Sequence, residues 1–119
     1  MSGRRPMIWR IRGRATFAAL ARSDRRVRRG SITVTWAPGD PAEPPRVAYA
    51  IGKHVGGATA RNRVRRRLRA IVRDVQPGLG PGAWLIGAAP EVAKLSYGEL
   101  QAAVSEAIGA LERQKGAEQ

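Results

Sequence analysis

The stretch Ala58-Thr-Ala-Arg-Asn-Arg-Val-Arg-Arg-Arg-Leu-Arg-Ala-Ile-Val-Arg73 holds seven arginines in sixteen residues and still has the pattern of a helix. Ala60, Val64, Leu68, Ile71, Val72 and Val75 fall on one stripe at the helical period, while Asn62, Arg63, Arg66, Arg69 and Arg73 gather on the opposite side. One face can bury and the other carries dense positive charge. A merely solvated helix face interleaves acids with bases to gain i to i+4 pairs, yet no acid occurs between Ala58 and Arg73. Like charges at this spacing repel, so a polyanionic partner is the expected counterweight. Arginine outnumbers lysine nineteen to three along the chain. A guanidinium binds phosphate bidentately and stacks on bases, which an ammonium does not, so this choice of residue points to nucleic acid.

Working outward, 119 residues with a 43% apolar fraction predict one domain with one core. The net charge of +13 is lopsided. Residues 1–73 hold 19 basic and 3 acidic side chains, whereas residues 74–119 hold 3 basic and 6 acidic ones. That asymmetry is the footprint of a protein that binds a polyanion. A membrane partner is not expected, because no apolar run reaches bilayer length and the basic helix lacks interfacial aromatics. Arg10 interrupts the short apolar run Met7-Ile8-Trp9, so no signal peptide is read and a cytoplasmic location is expected. The chain has no cysteine, which excludes disulfides and thiolate metal sites.

In chain order, residues 1–13 read as a basic arm broken by Pro6 and Gly13 and tied down by Ile8, Trp9 and Ile11. Arg14 to Arg22 predicts a short helix, and Ser23 to Gly30 a very basic turn. Ser31 to Trp36 alternates as a half-buried strand, and Arg46 to Lys53 alternates again. The segment Pro38-Gly-Asp-Pro-Ala-Glu-Pro-Pro45 reads as a surface hairpin loop between two antiparallel strands. Thr59 is the expected N-cap of the arginine helix. Gly56 and Gly57 before it fit either an ordinary turn or a backbone approach to phosphate. Gln76 to Gly82 ends the helix, Ala83 to Ala88 has the apolar form of a buried strand, and Ser96-Tyr-Gly-Glu99 matches a capping box. The last helix is expected to bury Leu100, Val104, Ile108 and Leu111. Trp36, Tyr49 and Trp84 read as core from their inward strand positions, and Trp9 is left open between core and surface. The expected fold is α+β, a two-layer α-β sandwich of order α-β-β-α-β-α, with an arm over 1–13, one domain over 14–111 and a polar tail over 112–119.

The segment Arg61-Asn-Arg63 inside Ala60-Arg-Asn-Arg-Val-Arg-Arg-Arg-Leu-Arg69, together with the preceding strand and glycines, resembles the protein subunit of bacterial ribonuclease P. The Phe17 helix, the proline-rich segment, the strand ending near Pro90 and the Leu95-Ser-Tyr97 helix entry correspond as well, so the likeness covers roughly residues 8–111. The resemblance implies that the arginine helix joins two parallel strands by a left-handed crossover, where general connection rules favour the right-handed form. It implies assembly with a catalytic RNA subunit, and removal of the 5′ leader from precursor tRNA by the pair. Carried over position by position, it places RNA-subunit binding on Arg61, Asn62, Arg63, Arg66 and Arg69. It places Phe17, Lys53 and Thr35 along a leader cleft, with Arg14, His54, Arg65 and Arg73 as additional RNA contacts. The chain departs from the family at Ala21 and Thr35, which stand where relatives often have aromatics, and at His54, where a second base is frequent. Since stacking adds about 1–3 kcal/mol per base, leader affinity is expected to lean on arginine here.

An enzyme acting without RNA is not expected, because one histidine, no cysteine and scattered acids supply neither an acid-base pair nor a metal cluster. The resemblance implies Mg2+ held mainly by the RNA subunit and substrate, with none bound by the protein alone. No obligate protein partner is expected. A ribosomal-type RNA binder is the alternative. A helix-turn-helix DNA binder is less favoured, because strands and Pro-Gly segments flank the arginine helix where that motif needs a second helix.

Overall fold

The computed structural model describes residues 8–75 and 79–117, with side chains through residue 114. Residues 1–7 of the expected arm, the first residues of the 76–82 breaker and the last two residues of the tail lie outside the described residues. The elements run β1 (Trp9–Arg10), α1 (Arg14–Arg22), β2 (Arg26–Arg29), β3 (Ile32–Ala37), β4 (Arg46–Ala50), α2 (Ala58–Val75), β5 (Ala83–Ala88) and α3 (Tyr97–Ala117). Single 3-10 turns at Lys53–Val55 and Pro90–Lys94 precede α2 and α3. The α+β class holds.

The strands form one sheet in the order β1-β4-β5-β3-β2. This corrects the expected hairpin. β3 and β4 are not neighbours, because β5 lies between them, antiparallel to β3 and parallel to β4. The reason is burial. Trp84 and Ile86 point to one face and are nearly fully covered, while Leu85 on the other face packs beneath α1, so β5 needs a sheet neighbour on each side. β4 and β5 are thus adjacent parallel strands joined through α2. The segment from Pro38 to Pro45 is a connection over the end of the sheet, turned by Asp40, whose Oδ1 accepts from Ala42 N at 2.9 Å.

Two strands go beyond what the sequence pattern predicts. Arg26–Arg29, expected as a turn, is an edge strand paired with β3 through the two-residue turn Gly30-Ser31. Its one buried side chain is Val27, and the flanking arginines blunt the open edge. Trp9–Arg10 adds a short parallel strand to β4, with Trp9 N donating to Pro45 O at 2.9 Å.

The main core lies on one face of the sheet, where Ile32, Val34, Val47, Trp84 and Ile86 meet Val64, Leu68, Ile71 and Val72 of α2 and Leu100, Val104, Ile108 and Leu111 of α3. Each of these large apolar side chains contributes about 1.5–3 kcal/mol on burial, enough together to hold α2 against its own charge repulsion. The other face carries a smaller cluster in which Leu20 of α1 packs with Ile11, Ala37 and Ala83. α2 starts at Ala58, with Gly57 O accepting from Arg61 N at 2.9 Å, so Thr59 sits inside the first turn and is not the cap. The Ser96 capping box is present: Ser96 N donates to Glu99 Oε1 at 2.8 Å, and Glu99 N to Ser96 Oγ at 3.1 Å. α3 continues to Ala117, so the tail expected from residue 112 begins as helix, and Glu112 accepts from Gly80 N at 3.1 Å.

Candidate RNA interface

The buried stripe of α2 fixes which side chains reach solvent. Val64, Leu68, Ile71 and Val72 turn inward, so Asn62, Arg63, Arg66, Arg69 and Arg73 are exposed, while Arg61, Arg65 and Arg67 are half-buried along the flanks. Asn62 Oδ1 accepts from Arg65 Nη1 at 2.9 Å, which fixes the amide's orientation, and Arg67 Nη1 donates to Leu95 O at 3.3 Å. Arg61 buries its Nε with no hydrogen-bond partner among the described residues. Among those residues no arginine of α2 is held in an ion pair, unlike Arg29 with Glu106 or Arg46 with Glu43. The first turn of α2 contains no acid either. The helix therefore presents an array of guanidiniums that no ion pair neutralises among the described residues.

The opposite face of the sheet is covered by α1, which carries Phe17 and Arg14. Phe17 on α1 is 44% exposed, a large apolar ring open to solvent. Arg14 opens the same helix and is exposed. Lys53 and His54 lie exposed on the 3-10 turn just past β4. On the α1 face of the sheet, Thr33, Gly87 and Ala50 form a row of small residues across β3, β5 and β4, and Ala50 is exposed. Thr35 is a correction. It is only 3% exposed, and its Oγ1 accepts from Arg26 Nε at 3.3 Å, so Arg26 presents the surface at this position.

Tyr49 packs against the main core, as the sequence predicts, and also borders a groove that the sequence pattern does not reveal. Its alternation predicts a core position, but β1 pairs β4 only at Arg46 and Val47, so beyond that point the outer edge of β4 is uncovered. Tyr49 is consequently half-buried on the wall of a groove of about 660 Å³ between this edge and α2, lined also by Arg10, Val47, Arg65, Arg69 and Arg73. Burial pushes its phenol up to about 12, against the opposing pull of the Arg69 and Arg73 charges. The phenol is a hydrogen-bond donor at any physiological pH. Trp9, left open by the sequence, lies under Arg46, whose guanidinium carbon is 4.6 Å from the ring centroid. Both rings keep an arginine as neighbour.

No group of three or more histidine, cysteine or carboxylate side chains stands together among the described residues in a way that could hold a metal. No helix among them is long and apolar enough to cross a membrane.

These features define a class: a small basic α+β domain that carries one exposed arginine-rich helix on an otherwise ordinary hydrophobic core. A sequence profile of the Ribonuclease P family matches residues 6–112. The ribonuclease P protein component of Thermobifida fusca is 37% identical over 115 residues, covering 90% of this chain and 78% of that protein. The corresponding component of Salinispora tropica is also 37% identical, covering 90% of this chain and 93% of the relative. The RNase P protein of Staphylococcus aureus superposes with a TM-score of 0.77 at 16% identity, over 86% of this chain and 94% of that one. The RNase P protein of Thermotoga maritima gives 0.73 at 15% identity, over 83% and 94%. The chain belongs to the Ribonuclease P family.

Proposed function

We propose that this chain is the protein subunit of a ribonuclease P holoenzyme, which binds a catalytic RNA and the 5′ leader of precursor tRNA and assists removal of that leader. The observation that carries the reading is the α2 array, in which Arg63, Arg66, Arg69 and Arg73 are exposed and none is ion-paired among the described residues. Arg61, Asn62, Arg63, Arg66 and Arg69 are assigned to the RNA subunit. Phe17 and Lys53 are assigned to the leader, with Arg14 and His54 beside them. The exposed Phe17 ring and the row of small residues on the same face of the sheet suit an extended strand that stacks a base on one side.

Magnesium, in this reading, sits on RNA and substrate phosphates. The protein residues do not suit it, since the described residues gather no cluster of carboxylate or imidazole donors and a guanidinium array repels a dication. The chain's own part is to bind, to orient and to neutralise phosphate charge. Reconstitution tests this directly. Catalytic RNA and precursor tRNA are incubated at low magnesium with and without the protein, and the protein is expected to restore leader removal while cutting nothing alone. Cleavage by the protein unaided, or no effect on the ribozyme, overturns the reading. A ribosomal-type binder would instead co-sediment with ribosomal subunits in high salt.

A further inference from the structure

The groove beside Tyr49 is not the leader face. Strand pleating separates the two: Ile8 packs into the main core with α2 and α3, whereas Ile11 packs into the cluster under α1, so Arg10 and Trp9 project to opposite sides of the sheet. Arg10, in register with Val47, shares the α2 side with Tyr49. The α2 wall supplies Arg65, Arg69 and Arg73 at four-residue intervals. Successive positions of that kind advance about 6 Å along a helix, a spacing close to that of consecutive phosphates along one polynucleotide strand. No carboxylate lines the groove among the described residues, and Arg69 lies with its guanidinium carbon 5.8 Å from the Tyr49 ring centroid. A recessed trough admits a single strand; a duplex carries its phosphates on a convex surface and would rest on the crest of α2.

We propose that this groove is a second RNA site, seating a single-stranded segment of the RNA subunit with its phosphates on Arg10, Arg65, Arg69 and Arg73 and one phosphate oxygen on the Tyr49 hydroxyl. The proposal rests on the RNA-subunit reading above and adds to it Arg10, Tyr49 and the strandedness of the bound segment. The floor of the groove, β1 hydrogen-bonded to β4, is pinned further by Arg46 Nη1 donating to Arg10 O at 3.0 Å. The floor of the groove is therefore held by the protein's own hydrogen bonds.

The test uses the full chain and its catalytic RNA subunit. Equilibrium binding is measured across a salt series for the wild type, Arg10→Ala and Tyr49→Phe, and thiouridine in the RNA is cross-linked to protein and mapped. Arg10→Ala should lower the salt slope by about 0.7, the value for one single-strand phosphate contact. Tyr49→Phe keeps the ring and its packing and should weaken binding by about 12- to 160-fold, the range for one hydrogen bond to a charged group. Cross-links should fall on the peptide holding Tyr49. Unchanged affinity and slope in both variants, or cross-links confined to the Phe17 side, overturns the groove while leaving the subunit assignment intact. A wild type that binds the RNA without salt dependence removes both.

Discussion

Arg69 stands over Tyr49, its guanidinium carbon 5.8 Å from the ring centroid, which puts a fixed positive charge beside a phenol that burial already keeps protonated. The two influences oppose each other. Burial raises the Tyr49 pKa from 10.0 to about 12, and Arg69 pulls it down. Arg69→Ala should therefore move the phenolate transition to still higher pH, as read by ultraviolet difference absorbance in the folded protein, and Tyr49→Phe should abolish that transition. The linkage has a definite sign. A phenol that binds its proton more tightly when folded stabilises the protein fully below pH 10, and this contribution is lost as pH rises towards about 12. Urea midpoints at rising alkaline pH should fall more steeply for the wild type than for Tyr49→Phe.

The cationic crest of α2 makes a second prediction. Arg63 and Arg66 are exposed and not ion-paired among the described residues, so replacing both with Ala should leave the urea midpoint nearly unchanged or slightly higher, through relief of repulsion. Binding to the catalytic RNA should weaken, and its salt slope should flatten by about 0.7–0.9 for each phosphate that the variant no longer neutralises. Equal affinity for wild type and double variant across the salt series would falsify the assignment of these two arginines.

How far the sequence reveals this depends on which signal each element carries. α2 and α3 announce themselves because their apolar stripes repeat over many turns, and β5 because both of its faces are apolar. β2 does not, since Val27 is its one buried side chain and a lone valine among arginines has no period to detect. The apolar character of Ala83–Ala88 also bears on strand order: an apolar strand belongs inside a sheet, and β5 lies between β3 and β4. The groove beside Tyr49 escapes detection for a related reason. The tyrosine's alternation is that of a core residue, and only the shortness of β1, a tertiary fact, leaves it on a groove wall. Thr35 shows the reverse error, since family position alone suggests a cleft contact and says nothing of Arg26 lying over it.

Gly82 yields a stability prediction independent of RNA. Its φ is +120°, and a Cβ there would overlap the Trp36 indole and the Ala37 carbonyl. The neighbouring chain is held tightly, with Trp36 Nε1 donating to Pro81 O at 3.0 Å and Trp84 Nε1 to Gly80 O at 3.0 Å. Gly82→Ala should cost at least the roughly 1–3 kcal/mol of a strained backbone position, seen as a lower urea midpoint at unchanged slope. A midpoint equal to the wild type would mean that the loop entering β5 relaxes more freely than its two indole bonds imply.

Phe17 provides the test of the α1 face. At 44% exposure the ring contributes little to the core, where Leu20 is the buried residue of α1, so Phe17→Ala should fold with near wild-type stability. The loss should fall on substrate choice. Ala21 offers no second ring one turn later, so truncating Phe17 removes that helix's only aromatic surface. Because stacking one base is worth about 1–3 kcal/mol, the holoenzyme's preference for leader-bearing over mature tRNA should drop by about 5- to 150-fold. The preference is measured as the ratio of the two dissociation constants with the reconstituted enzyme. RNA-subunit affinity should stay unchanged, because the α2 array lies on the other side of the sheet. A folded Phe17→Ala holoenzyme that keeps the full preference would place the leader somewhere other than beside α1, whereas a fall in RNA-subunit affinity would mean that the two faces are not independent.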